Sequence, residues 1–298
     1  MGSKTMPELT PEQEMQFIKE GYVIIKNAFD PVNNVTLKKW TDDIWERCEV
    51  DKTSPDKWPD KIHLPISESI PFKTLSAKAY KIICDIIGGE ERLFNDIEIH
   101  NGFIANFSLG HDKPWVEPAD ATGWHSDGDF FRHFLDSPEQ GILIGSYFTD
   151  VHHQGGATLI SPGSHLEIAR FLAEHPEGML PSFISDNKLK EKCHSFIEAI
   201  VDAGDMVIMH PFMLHASSQN KLKTVRLMNN NNIKIKDPLC FHRQDKNYSL
   251  VEKAILFALK KDYFDFTITH KRESIIPDRI AMQKAFSDKE EARKNNTN

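Results

Sequence analysis

Within G-W-H-S-D-G-D-F-F, residues 123–131, His125 and Asp127 stand two positions apart. Side chains at that spacing can converge on one metal ion where a strand ends and the backbone bends. The triplet alone carries no weight, because chance supplies one H-x-D in a chain this rich in His and Asp, and one occurs. A third ligand must come from elsewhere. G-D-M-V-I-M-H-P-F-M-L-H-A-S, residues 204–217, offers His210 and His215. Two imidazoles and a carboxylate on one face of an octahedron suit non-haem iron(II) and leave the other positions open for cosubstrate and oxygen. Arg226 separates the two histidines. It lies eleven residues past His215 in the strand-like T-V-R-L-M. A His on one strand and an Arg on its hairpin partner can point into one barrel, where a guanidinium grips a carboxylate with two parallel donors.

Such residues need a scaffold of strands. From about residue 93, short β-type runs alternate with turn residues, among them G-F-I-A-N-F-S, G-I-L-I-G-S-Y-F-T-D-V, G-A-T-L-I-S, D-M-V-I-M-H and T-V-R-L-M-N-N-N-N-I-K-I. That rhythm predicts a mainly β fold with flanking helices around a double-stranded β-helix, a jelly-roll or cupin-like core, rather than a βαβ sheet. Thr10-Pro11-Glu12-Gln13 predicts a capped helix start and Tyr22–Phe29 a strand. Asp30-Pro31 opens a second helix, and residues 50–73, with their prolines and charges, read as a loop. Helices follow near 74–87 and 166–175. After residue 249 comes another, with Val251, Ala254, Ile255, Phe257 and Ala258 on one face. The simplest organisation is a single domain over 1–298. It divides into N-terminal helices and a first strand (1–92), a jelly-roll core (93–236) and a C-terminal helical extension (237–298).

Bulk properties exclude several function classes. Hydrophobic residues make up 40% and charged residues 27%, the mix of an ordinary globule. A net charge of -8 argues against a general nucleic-acid binder, which needs a basic surface. Cys48, Cys84, Cys193 and Cys240 are scattered and fit neither a disulfide framework nor a zinc knuckle. No apolar run approaches the ~18 residues of a membrane span, and the first residues lack a secretory h-region. The expected setting is cytoplasmic, and the expected partner is a small molecule rather than nucleic acid or membrane.

The combined spacing, H-x-D, then G-D-x-x-x-x-H-x-x-x-x-H, then Arg226, resembles the phytanoyl-CoA dioxygenase-like family of iron(II)/2-oxoglutarate-dependent oxygenases. G-G-A-T-L-I-S-P-G-S-H (155–165) and Q-F-I-K-E-G-Y-V-I-I (16–25) resemble it too, so the likeness runs from about residue 10 to 236. It implies Fe(II), 2-oxoglutarate and O2 as cofactor and cosubstrates, with His125, Asp127 and His215 as iron ligands. Arg226 would hold the distal carboxylate of 2-oxoglutarate, with Thr158 beside it and Thr122 and Asn106 as further contacts. The implied reaction is decarboxylation of 2-oxoglutarate to succinate, coupled to hydroxylation, desaturation or oxidative cyclisation of a small molecule. The presence of Asp127 argues against halogenation, because halogenating relatives lack that carboxylate. A natural-product intermediate is the expected substrate. An acyl-CoA, or a cupin-like metal protein that does not use 2-oxoglutarate, are the alternatives. Trp124, Phe130 and Phe131 read as either core or substrate wall, His210 as structural, and Asn229–Asn232 as an unexplained polar run in a strand.

Overall fold

The computed structural model describes residues 8–277 and positions 280, 284 and 288. Its strands are β1 (Tyr22–Ile25), β2 (Lys61–His63), β3 (Ser69–Pro71), β4 (Glu98–His100), β5 (Ile104–Asn106), β6 (Ile142–Tyr147), β7 (Thr158–Ile160), β8 (Ile197–Glu198), β9 (Met206–Met209), β10 (His215–Ser217) and β11 (Arg226–Ile233). Six form an antiparallel sheet in the order β1-β9-β6-β11-β5-β2. A second sheet runs β10-β7-β8, and β3 pairs with β4. The two larger sheets face each other over a cluster in which Leu143, Tyr147, Val207, Met209 and Met228 of one meet Ile160 of the other. The result is the expected jelly-roll plan, mainly antiparallel β with helices outside, without a closed barrel.

The helices are α1 (Pro11–Glu20), α2 (Val35–Asp42), α3 (Ile44–Arg47), α4 (Phe72–Leu75), α5 (Ala77–Ile87), α6 (Ser164–Ala173), α7 (Phe183–Asp186) and α8 (Leu250–Leu259). α1 starts on the reciprocal Thr10–Gln13 cap, and α8 on the same device built from Ser249 and Glu252. α1, α6 and α8 pack together into one layer. None of the described helices is long and apolar enough to cross a membrane.

Three local expectations need correction. Residues 50–73 are not all loop, because they hold β2 and β3. Three-residue strands between prolines show no readable alternation, and β2 exists through its pairing with β5. The second helix starts at Val35 on an Asn34 cap rather than at Pro31, because Asp30 accepts N–H bonds from Val32 and Asn33 and holds a turn there. Phe257 is 46% exposed, off the face that buries Val251, Ala254, Ile255 and Ala258. Both edge strands of the large sheet, β1 and β2, precede residue 93.

His165 and His210 lie buried beside α1, their rings 5.0 Å apart. His165 donates from Nε2 to the Ile18 carbonyl, and His210 Nδ1 accepts from the Phe212 N–H. Burial pushes His165 down to about 4 and His210 well below its ordinary value. In the unfolded chain both protonate near pH 6.5, so stability present above that pH is lost as pH falls from about 6.5 towards 4. Each group contributes a slope of about 1.4 kcal/mol per pH unit. Urea midpoints are expected to drop steeply between pH 7 and 5, and a flat profile there would contradict neutral burial of the pair.

Candidate active site

His125 follows a turn and pairs with His215, the first residue of β10, through an isolated antiparallel bridge. The two residues exchange both main-chain bonds, His125 N–H to His215 O at 3.1 Å and the reverse at 2.9 Å. Paired residues of this kind project side chains to one side of the ladder, and the two rings stand 4.4 Å apart. Each Nδ1 faces a main-chain carbonyl, Gly123 O at 2.8 Å and Met213 O at 3.2 Å. A carbonyl only accepts, so each Nδ1 donates to it, and Nε2 is the ring atom left to face Asp127.

Both Nε2 atoms lie 3.4 Å from Asp127 Oδ1. All three donor atoms fall within 4.8 Å of one another, the one such cluster of His, Cys, Asp and Glu found among the described residues. Two ligands at right angles, each about 2.1 Å from an ion, stand roughly 3 Å apart, so each imidazole–carboxylate pair, at 3.4 Å, is within a few tenths of an ångström of that spacing. Burial opposes the Asp127 charge, yet His215 and His125 beside it hold the carboxyl well below its usual range. The chain turns away directly after Asp127 because Gly128 adopts φ +115°. A Cβ there would come within 2.5 Å of Phe131 and 2.7 Å of His133.

The trio opens onto a cavity of ≈ 480 Å³ that also takes in Arg226 and Thr158. Arg226 is 2% exposed. Its Nε donates to Gly156 O at 3.0 Å and its Nη1 to Ile104 O at 3.2 Å, which uses two of five donors. Among the described residues no carboxylate pairs with it, and burial pushes the guanidinium down to about 10. Tyr147 donates its hydroxyl to Thr158 Oγ1 at 2.8 Å beside this cation. Lys61 shares the floor. It and Arg226 both pair with Asn106, on adjoining strands of one row. Lys61 Nζ donates to Ser217 Oγ at 3.1 Å. Burial, then the Arg226 charge, lower its pKa.

Other expected site residues stand elsewhere. Asn106 is fully buried, and its amide is engaged with Ser218 O and the Leu109 N–H, so it does not reach the cavity. Thr122 is exposed in the turn before Gly123 and does not line the cavity. Trp124 packs away from it, edge to face with Phe196 at 5.0 Å. Phe131 is buried against His133 at 4.4 Å. Of the three aromatics, Phe130 alone is at the wall. His210 lies in the helical layer beside α1 and His165.

The model of the phytanoyl-CoA dioxygenase family matches residues 17–228, from α1 into β11. The chain belongs to that family. That family is one of iron(II)/2-oxoglutarate-dependent dioxygenases, which take Fe(II), 2-oxoglutarate and O2. The donors present fit the metal: two imidazole Nε2 atoms and an ionised carboxylate, all within 4.8 Å of one another. Dioxygenase CdmD of Talaromyces verruculosus is 27% identical over 155 residues, which is 52% of this chain and 44% of that protein. The match therefore spans under half of the relative's length. Among solved structures, iron-bound EctD from S. alaskensis aligns over 91% of this chain and 90% of its own, at 14% identity and a TM-score of 0.47. SnoK, a non-heme alpha ketoglutarate dependent carbocyclase from nogalamycin biosynthesis, aligns over 77% and 85%, at 17% identity and a TM-score of 0.43. Both structural likenesses are loose, and the functional weight falls on the family match and the site geometry.

Two cavity neighbours, Lys61 and Tyr147, are not legible as site residues in the sequence. Lys61 sits in a stretch that reads as loop, and Tyr147 in an apolar run whose natural role is core.

Proposed function

We propose that the chain oxidises a small molecule, a natural-product intermediate, by hydroxylation, desaturation or oxidative cyclisation while 2-oxoglutarate is decarboxylated to succinate. His125, Asp127 and His215 hold the iron, which supplies the oxygen-activating chemistry when bound. Arg226, aided by Thr158, holds the distal carboxylate of 2-oxoglutarate. The observation that carries this reading is the unpaired Arg226 guanidinium, buried in the cavity that the His-Asp-His trio lines. An isolated buried charge is costly, and an anionic cosubstrate relieves that cost each time it binds.

The cavity walls mix polar and apolar side chains. Lys61, His63, Asn230 and Asn232 line it together with Phe130 and Ile66. A cytosolic setting fits the four free thiols. The test is incubation of the pure protein with iron(II), ascorbate and labelled 2-oxoglutarate, followed by a mass-spectrometric metabolite screen. Release of CO2, together with a product that gains one oxygen or loses two hydrogens, is expected. No decarboxylation by a protein with confirmed metal binding, whatever the metabolite supplied, would overturn the reading.

A further inference from the structure

The run Asn229–Asn232 lies in β11, and its amides divide by strand alternation. Asn229 and Asn231 donate to the main-chain oxygens of His100 and Glu98, at 2.7 Å and 2.9 Å. Arg226, Met228, Asn230 and Asn232 make up the row that lines the cavity. Asn230 Nδ2 donates to Asp127 Oδ2 at 2.5 Å. The two oxygens of Asp127 are thereby distinguished, since Oδ1 faces both imidazoles at 3.4 Å and Oδ2 is tied to the strand.

We propose that Asn230 is a positioning residue that fixes Asp127 as a ligand through Oδ1 alone. The inference rests on the reading of the trio as the iron site. A carboxylate only accepts hydrogen bonds, so the amide must turn its NH2 towards Asp127. Its own Oδ1 is then left buried without a partner. An unpaired buried acceptor is an expense that leucine, of nearly the same shape, would avoid, so filling space does not explain an amide here. Holding Oδ2 keeps the carboxylate from turning both oxygens to the ion, and so preserves the open positions that a facial His-His-carboxylate set must leave. Ligating carboxylates need such outer partners, whose loss typically weakens metal binding 10–100-fold.

The test is titration of the metal-free protein with Mn(II), a redox-stable probe, together with water-proton relaxation of the bound ion. Asn230→Ala is expected to bind Mn(II) about 10–100-fold more weakly, with fewer exchangeable waters on the ion. Asn230→Ser, which keeps a donor, is expected to recover part of both. Asn231→Ala, which removes a comparable bond on the opposite face, is expected to match wild type in both. Wild-type Mn(II) affinity and hydration in Asn230→Ala overturns the proposal. Equal weakening in Asn231→Ala also overturns it, because the effect is then one of strand packing. If wild type binds no Mn(II) that His215→Ala loses, the iron-site reading itself falls, and the Asn230 proposal with it.

Discussion

Arg226→Met is expected to weaken 2-oxoglutarate binding at least 100-fold while shifting the melting temperature by only a few degrees. The first effect follows from losing two charge-assisted hydrogen bonds to a carboxylate, at about 1.5–3 kcal/mol each, where 1.4 kcal/mol is tenfold. The second follows from where the cation sits. Arg226 is buried with no carboxylate beside it among the described residues, so the folded protein bears its desolvation unaided. Replacing buried charges with apolar residues of similar volume is often neutral or stabilising. Against that, Gly156 O and Ile104 O each lose a donor, which offsets part of the gain. Titration of the Mn(II)-loaded protein with 2-oxoglutarate reads the first effect, and a thermal melt reads the second. Unchanged 2-oxoglutarate affinity would remove Arg226 from the cosubstrate site. Arg226→Lys should fall in between, since an ammonium keeps the charge and loses the planar two-pronged grip.

The other large effect belongs to Asp127→Asn. The side chain keeps its shape and loses its charge, so the site would offer the metal three neutral ligands in place of two neutral and one anionic. Metal affinity is expected to fall by more than the roughly 10–100-fold typical of outer-sphere losses, and 2-oxoglutarate decarboxylation should fall with it. The metal-free fold should survive, because the His125–His215 main-chain pair does not depend on the carboxylate. Mn(II) titration with a parallel circular dichroism melt separates the two outcomes. Wild-type affinity in this variant would exclude Asp127 as a ligand.

Much of the site is legible in the sequence because the chemistry is local in type even where it is distant in chain. H-x-D, a His 88 positions beyond Asp127, and an Arg eleven further on can be read as letters, and the structure gathers all four around one cavity. The capped start of α1 is readable because a reciprocal cap is written within four residues. What stays hidden depends on pairing. Lys61 enters the site only because β2 takes up a place beside β5, and three residues carry too little alternation to announce that. Asn106 lies in the same row as Lys61 and Arg226, which makes it a plausible contact by position. Its amide is instead used in tying down the Asn106–Leu109 turn, a role set by tertiary contacts. Trp124 and Phe131 flank the metal motif in sequence and turn away from it in space. Gly123 (φ +77°) and Gly128 bend the chain on either side of the triplet, and residue adjacency stops predicting direction at such bends.

The main-chain pair between His125 and His215 also decides what the ion does for the fold. In a zinc finger the ligands meet only when the metal brings them together, so the free energy of binding is also the free energy of folding. Here two peptide hydrogen bonds already hold both imidazoles side by side, and carbonyls already set their tautomers. An ion bound there would be a passenger in a finished seat. Stripping it with a chelator should leave a folded, silent protein that regains its metal on demand. Iron supply would then govern how much of the enzyme is working, not how much of it survives.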